Sequence, residues 1–283
     1  MAEIALTAFL VLLVVTLCLS CLTYAFFWYE TANGAYLPQF ERLSGGRTRR
    51  WIAKGILTSW ASMILTVLLF PFGFRKGSLR PSGNPDPSSP PIILVHGLYH
   101  NASAWMLYRM WLKRAGLGNT YAINYSSLRC TFRQAVEQLN GLIAEVARLH
   151  PGQRVVLIGH SLGGLLSRVC VERENQADKA AAAITLGTPH HGSKLAVLGP
   201  GRLAGSIIYR GPLFQEIERD APPCNLPRLS LYSALDNMVL PNDALEIDSP
   251  GWTQELISPI SHVSMLFHRS TATRVIEFIK GLP

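Results

Sequence analysis

Two long apolar runs open the chain, a proline-rich break follows, and short apolar segments of mixed period occupy the rest. From Ile4 to Trp28 every position is apolar or weakly polar and none is charged. As a helix this run measures about 37 Å, enough to cross a hydrocarbon core of about 30 Å with some tilt. Tyr24, Trp28 and Tyr29 gather at one end, where an aromatic belt sits. A cleaved signal peptide normally has a basic start and a shorter apolar core. This chain reads Met-Ala-Glu with no Lys or Arg, so a retained anchor is the favoured reading. The second run, residues 55–74, carries Thr58, Ser59, Ser62, Thr66 and a late Pro71. A second spanning helix is the first expectation, and an amphipathic helix lying in the interface is the alternative.

Residues 81–90 read as a Pro/Ser linker that separates an anchor (1–80) from a domain (91–283). In that domain Ile92–His96, Tyr121–Tyr125, Val155–Ile158, Ala181–Leu186 and Leu229–Leu235 have the apolar, β-branched character of buried strands. Phe132, Ala135, Val136, Leu139, Leu142, Ile143, Val146 and Leu149 recur at steps of three and four, an amphipathic helix closed by His150-Pro151-Gly152. Further helices are expected over 162–173 and 271–279. Strands alternating with helices imply an α/β domain: a compact, mostly parallel sheet of about six strands with helices on both faces.

Composition and charge sharpen the first third. Of the 283 residues 48% are hydrophobic and only 16% charged, below the roughly 25% charged usual in soluble domains. The net charge of +8 is uneven: residues 1–80 hold eight Lys/Arg against three Glu, while the rest of the chain is nearly balanced. Arg42, Arg47, Arg49, Arg50 and Lys54 lie between the two apolar runs. Basic residues beside apolar helices suit anionic lipid headgroups rather than nucleic acid. No zinc-knuckle spacing or RNA-binding aromatic motif is present. The positive-inside rule puts that connector in the cytoplasm, but Arg75, Lys76 and Arg80 weaken the argument and leave the side open. Of the five cysteines, Cys130, Cys170 and Cys224 fall in the domain; they read as small buried hydrophobes, with one optional disulfide.

The chemical signal is Gly159-His160-Ser161-Leu162-Gly163-Gly164 directly after the Val155–Ile158 strand. A nucleophilic serine on a sharp strand-to-helix turn needs glycines two positions either side so that the turn can pack. The N-terminus of the following helix then points at the developing negative charge. His96-Gly97-Leu98 follows the first strand, where the N–H of Leu98 would join that of Leu162 in an oxyanion hole. His96 itself reads as a loop-fixing residue. Asp236, after the Leu229–Leu235 strand, is the expected acid because the C-terminal ends of parallel strands form the functional face. Its rivals are Asp220, Asp243, Glu246 and Asp248, all in polar loops. His262, third in the order Ser…Asp…His, is the expected base. His268 is its rival, read as a surface residue. His190 and His191 precede the acid, and His100 and His150 have no evident partner in the sequence. Between Lys194 and Asn225 an apolar stretch broken by Gly and Pro reads as a small cap over an acyl pocket, or else as an excursion packed on the sheet.

These residues resemble the bacterial triacylglycerol lipases and esterases of the α/β-hydrolase superfamily. The resemblance rests on Val95-His96-Gly97-Leu98, the Gly159–Gly164 segment, Gly187-Thr188-Pro189-His190-His191-Gly192-Ser193, Asp236 to Pro241 and Ser261-His262, and covers residues 91–283. It implies an α/β-hydrolase fold, an acyl-serine intermediate hydrolysed by water, a lipid or acyl-ester substrate and no organic cofactor; some such lipases hold a structural calcium near the histidine loop, but no clear carboxylate pair for one stands out here, so no metal is expected. Together with the apolar anchors it points to a bacterial inner membrane setting, with the domain possibly periplasmic. The apolar anchors depart from the pattern, because such lipases are usually secreted after signal cleavage. Thioesterase, acyltransferase and a catalytically silent membrane-bound binding protein are the alternatives.

Overall fold

The computed structural model describes residues 1–75, 77, 79–81, 86–174, 176–219 and 224–282. Six strands form one sheet: β1 (Ile92–Val95), β2 (Thr120–Ile123), β3 (Val155–His160), β4 (Ala180–Leu186), β5 (Arg228–Tyr232) and β6 (Trp252–Leu256). Their order is β2-β1-β3-β4-β5-β6 and every pairing is parallel. Alternate residues of a strand face opposite sides, so each central strand feeds two cores. Ile93, Val95 and Leu157 meet α5 (Phe132–Leu149) and α6 (Leu162–Glu172) on one side. Ile92, Leu94, Val156, Ile158 and Ile184 meet α4 (Met106–Arg114) and α9 (Arg269–Lys280) on the other. Burial on both faces explains why the strand segments read as continuous apolar runs.

Local signals set several boundaries. Thr131 Oγ1 accepts from the N–H of Gln134, and Gln134 Oε1 accepts in return from the N–H of Thr131, a reciprocal cap that starts α5. The buried face of α5 is Phe132, Ala135, Val136, Leu139, Ile143 and Val146, the stripe its periodicity foretells. Other elements depart from expectation. The fifth strand ends at Tyr232, and a turn closed by Asp236 N–H to Ser233 O carries the chain on to Asp236. α4 and β6 were not expected. β6 is an edge strand with mostly exposed side chains, so it carries no apolar run to read.

The amino-terminal third contains α1 (Ala2–Asn33), α2 (Leu37–Ser44) and α3 (Thr48–Leu69). The spans Ala2–Asn33 and Thr48–Phe74 are long and apolar enough to cross a membrane. They do not stand apart from the rest. α1 and α3 pack together, with Ser20 Oγ donating to Ser59 Oγ and Trp60 Nε1 to Leu13 O. Tyr24, Phe27 and Phe40 are buried with Leu235 and Leu240 of the domain. The hydroxyl stripe of α3 faces inward. Thr58 Oγ1 accepts from Ser261 N–H, Thr58 O from Ser264 Oγ, and Thr66 meets His100. Beyond α3, Asn101 and Asn124 donate to the carbonyls of Phe70 and Gly73.

The stretch 81–90, expected to be a linker, is tied to the domain on its described part, and the chain just before it is tied as well. Ala122 N–H donates to Leu79 O at the sheet edge, and Asn119 Nδ2 donates to the carbonyls of Asp86 and Ser89. Residues 82–85 of that stretch, and Asp220 with part of the 194–225 segment, lie outside the described residues. All five cysteines are free thiols, so the optional disulfide is not formed.

One buried ionic group could not be read from the sequence. Glu172 on α6 accepts from Arg168 Nε at 2.9 Å, Arg228 Nη1 at 2.5 Å and Trp252 Nε1 at 2.8 Å, with both ion pairs almost fully buried. It joins α6, β5 and β6. Removing one partner of a buried pair strands the charge of the other. Glu172→Ala should therefore destabilise the fold by about 3–5 kcal/mol, measured by denaturant unfolding in detergent. A loss below 1 kcal/mol would show that the two arginines find other partners.

Candidate active site

Ser161 joins β3 to α6 with φ +54° and ψ −124°, a conformation side-chain-bearing residues rarely adopt. The flanking glycines explain how the turn is held. A β-carbon on Gly159 would lie 2.3 Å from Gly163 O, and one on Gly163 would lie 2.1 Å from Val95 O. Any side chain at either position would push the helix off the sheet. The loop after β1 lies against the serine, since a β-carbon on Gly97 would sit 3.0 Å from Ser161 Cβ. This brings Leu98 to the same pocket as Ser161, while Leu162 begins α6. Among the described residues neither N–H is used in a main-chain hydrogen bond outside the regular elements. The first N–H groups of a helix have no partner within it.

Asp236 is fully buried. Its Oδ1 accepts from the N–H groups of Met238 and Val239, and its Oδ2 lies 2.6 Å from His262 Nδ1. With Nδ1–H donating to that carboxylate, Nε2 is the free acceptor of the imidazole. Ser161 and His262 line one pocket of about 320 Å³ together with Gly97, Leu98, His160 and apolar residues. His160 Nε2 donates to the carbonyl of His262 at 3.2 Å, and the two rings lie 4.7 Å apart. His160 thus supports the loop that carries His262.

The rival residues lie elsewhere. His268 is half-buried rather than on the surface and bonds Thr271 Oγ1 at the start of α9. His190 bonds Ser230 Oγ and His191 pairs with Glu218. His150 has a partner after all, Tyr121 OH at 2.8 Å. Asp243 is exposed and bonds Tyr209 OH, whereas Glu246 is half-buried and its carboxyl is raised by that burial and by Asp243 and Asp248.

Several participants escaped the sequence reading. His100 reaches the pocket wall, where burial and His262 lower it to about 4. Gly187 has φ +54°, and a β-carbon there would stand 3.1 Å from Asp236 Oδ2 and 3.2 Å from His262 Nδ1. The Gly-Thr-Pro-His motif contained this residue, but only the fold shows that it leaves room for the Asp–His contact. Asn237 is the least expected. Its Oδ1 accepts from His262 N–H at 3.2 Å, while its Nδ2 donates to Thr23 Oγ1 of α1 at 2.7 Å and approaches Ser59 of α3 at 3.5 Å. The pocket wall likewise includes Leu22, Thr23 and Phe26 of α1. The wall also includes Ser193, Leu195, Ala196 and Leu198, and Ile207 after α7 (Arg202–Ser206). α8 (Pro212–Glu218) completes the described part of the cap segment.

A model of the α/β hydrolase family matches residues 92–276. The probable esterase PIR7A of Oryza sativa is 37% identical over 99 residues, which is 33% of this chain and 37% of that protein. The chain thus spans little more than a third of that relative's length. Among solved structures, the mature lipase BlEst2 of Bacillus licheniformis superposes with a TM-score of 0.59 at 20% identity, over 70% of this chain and 95% of that one. Lipase B of Aspergillus fumigatus gives 0.61 at 15% identity, over 71% and 54%. These likenesses extend to the α/β-hydrolase fold.

The buried histidines make stability depend on pH. Burial pushes His96 down to about 3, and its ring stacks on Tyr125 with Nδ1 donating to Gly97 O. His160 and His190 are likewise held well below the ordinary value, first by burial and then by neighbouring His262 and Arg168 respectively. An unfolded chain takes up protons on these rings below about pH 6.5, where the folded chain does not. Their folded values are depressed, so unfolding free energy should be level above that pH. It should fall as pH drops toward 4, by up to about 1.4 kcal/mol per unit for each ring. Urea unfolding at pH 7 and pH 5 checks this, and equal stabilities would contradict neutral burial.

Proposed function

Because the chain belongs to the α/β hydrolase family, we propose that it is a serine hydrolase of carboxylic esters with lipid-like acyl groups. Ser161 is its nucleophile, His262 its general base and acid, and Asp236 the group that orients His262. The observation that carries this reading is the 2.6 Å contact of His262 Nδ1 with Asp236 Oδ2, made where His262 shares a pocket with the strained Ser161.

In this reading His262 Nε2 takes the Ser161 hydroxyl proton as Oγ attacks the ester carbonyl. The oxyanion is received by the N–H groups of Leu98 and Leu162, each worth about 3–4 kcal/mol at the transition state. Collapse expels the alcohol, which takes the proton from Nε2, and leaves the acyl group on Ser161. Water then gives a proton to Nε2, attacks the acyl carbonyl and releases the acid, returning the proton to Ser161. Asp236 stays ionised and steadies the imidazolium.

The acyl character of the substrate is supported by the pocket wall, which is mainly Leu, Ile, Val, Ala, Phe and Met side chains. A membrane setting is supported by the two apolar helices and by exposed basic residues, Arg42 and Arg47 between them and Arg49, Arg50 and Lys54 at the start of α3, which suit anionic headgroups.

A fluorophosphonate probe should label the wild-type protein and fail to label Ser161→Ala; a folded wild type that takes no label would leave a non-catalytic protein. Asp236→Asn should cut turnover by roughly 10⁴-fold through the wrong imidazole tautomer, and His262→Ala should abolish it with folding intact. Near-normal rates in either variant would move the role to another residue. Turnover of long-chain esters should rise when they are presented in lipid vesicles, and indifference to vesicles would remove the lipid part of the proposal.

A further inference from the structure

α1 holds more of the pocket than an anchor needs to. Leu22, Thr23 and Phe26 line the cavity that contains Ser161, and Leu195, Ala196 and Leu198 of the cap segment line it too. The helix is fixed in register against the site by polar contacts along more than two turns. Ser20 bonds Ser59 at 3.1 Å, Thr23 accepts from Asn237 at 2.7 Å, Tyr24 OH donates to Leu235 O at 2.7 Å, and Glu30 pairs with Lys194 at 2.5 Å. Two of these four bonds go to the residues flanking Asp236. The fourth goes to the first residue of the cap segment.

The mouth of the pocket is apolar as well. Leu22, Phe26, Tyr99, Leu198 and Met238 line the pocket and remain exposed, at 50%, 36%, 41%, 66% and 40%, so they stand where it meets the surface. Large apolar side chains left exposed together around one pocket mark a surface that meets apolar material. Elsewhere on α1 the side chains of Val15, Leu19 and Trp28 are exposed as well.

On the premise that Ser161 is an acylating nucleophile, we propose that α1 is the outer wall of the acyl-binding pocket, so that a long acyl chain of a membrane lipid is held between the first helix and the cap segment. The carbonyl carbon lies at Ser161, and the chain runs outward between Leu22 and Phe26 on one side and Leu195 to Leu198 on the other. The mouth then opens at the apolar surface of α1, and an acyl tail need not cross water to reach the serine.

The test uses the full chain in detergent and a long-chain alkyl fluorophosphonate carrying a diazirine near the end of its alkyl chain. The probe is first bonded to Ser161, the excess is removed, and irradiation then fixes the tail to whatever it touches. Peptide mapping should find the tail on Leu22, Thr23 or Phe26 as well as on residues 195–198. Labelling of Ser161 with adducts confined to the 193–207 segment would overturn the wall. No labelling of Ser161 would overturn the hydrolase reading and the wall with it. Kinetics supply a second measurement. Leu22→Trp and Phe26→Ala should each change the ratio of hexadecanoyl to butanoyl ester turnover by about tenfold or more, as expected for altered pocket contacts. Val15→Trp, on an exposed part of α1 away from the pocket, should not change it. A ratio equal to wild type in both pocket variants would also overturn the wall.

Discussion

At Gly163 the helix after Ser161 runs so close to the sheet that a β-carbon would stand 2.1 Å from the carbonyl oxygen of Val95. The remaining geometry depends on this approach. It forces the backbone at Ser161 into a left-handed turn that lifts its side chain to the rim of the sheet. It also sets the start of α6 against the loop that follows β1, so Gly97 and Leu98 come to the serine from the other side. Tight packing of this kind has two discrete outcomes, docked or undocked, rather than a range of intermediate positions.

The strand–turn–helix and the parallel sheet were legible because they are local. An apolar run of four to six residues, a glycine at each side of a serine and a three-to-four period in α5 each lie within one window of sequence. The edge strand β6 was not legible, because an exposed strand has no apolar alternation to show. Asp236 and His262 were legible as residue types in the right order, but the devices that hold them were not. Gly187 matters only because Asp236 and His262 crowd its α-carbon. Asn237 matters only because its two amide ends face different parts of the chain. Glu172 reads as one more charge on a helix until Arg228 is folded against it.

The larger departure concerns the first third. Composition separates it cleanly from the domain, since apolar helices and a proline-rich stretch are the usual marks of an appendage. Its hydroxyl residues carried the contrary information. Ser20, Thr23, Thr58 and Ser59 lie on the inward faces of two otherwise apolar helices, and each bonds either the other helix or the loops around Asp236 and His262. In an apolar surrounding a side-chain hydroxyl gains most from a partner of its own kind. The spacing of those hydroxyls records where the helices dock, although the sequence does not name what they dock on.

The bond between Thr58 and Ser261 closes a loop of 203 residues. Synthesis delivers α3 well before the segment that bears His262. Contacts so distant along the chain form late, because the whole intervening loop must be ordered before they can repay its entropy. A growing chain therefore has the Ser161 turn and the sheet centre before it has the His262 imidazole. The segment around His262 then docks on α3 through Thr58, so the Asp236–His262 contact is reached only once the chain has folded back on its apolar helices.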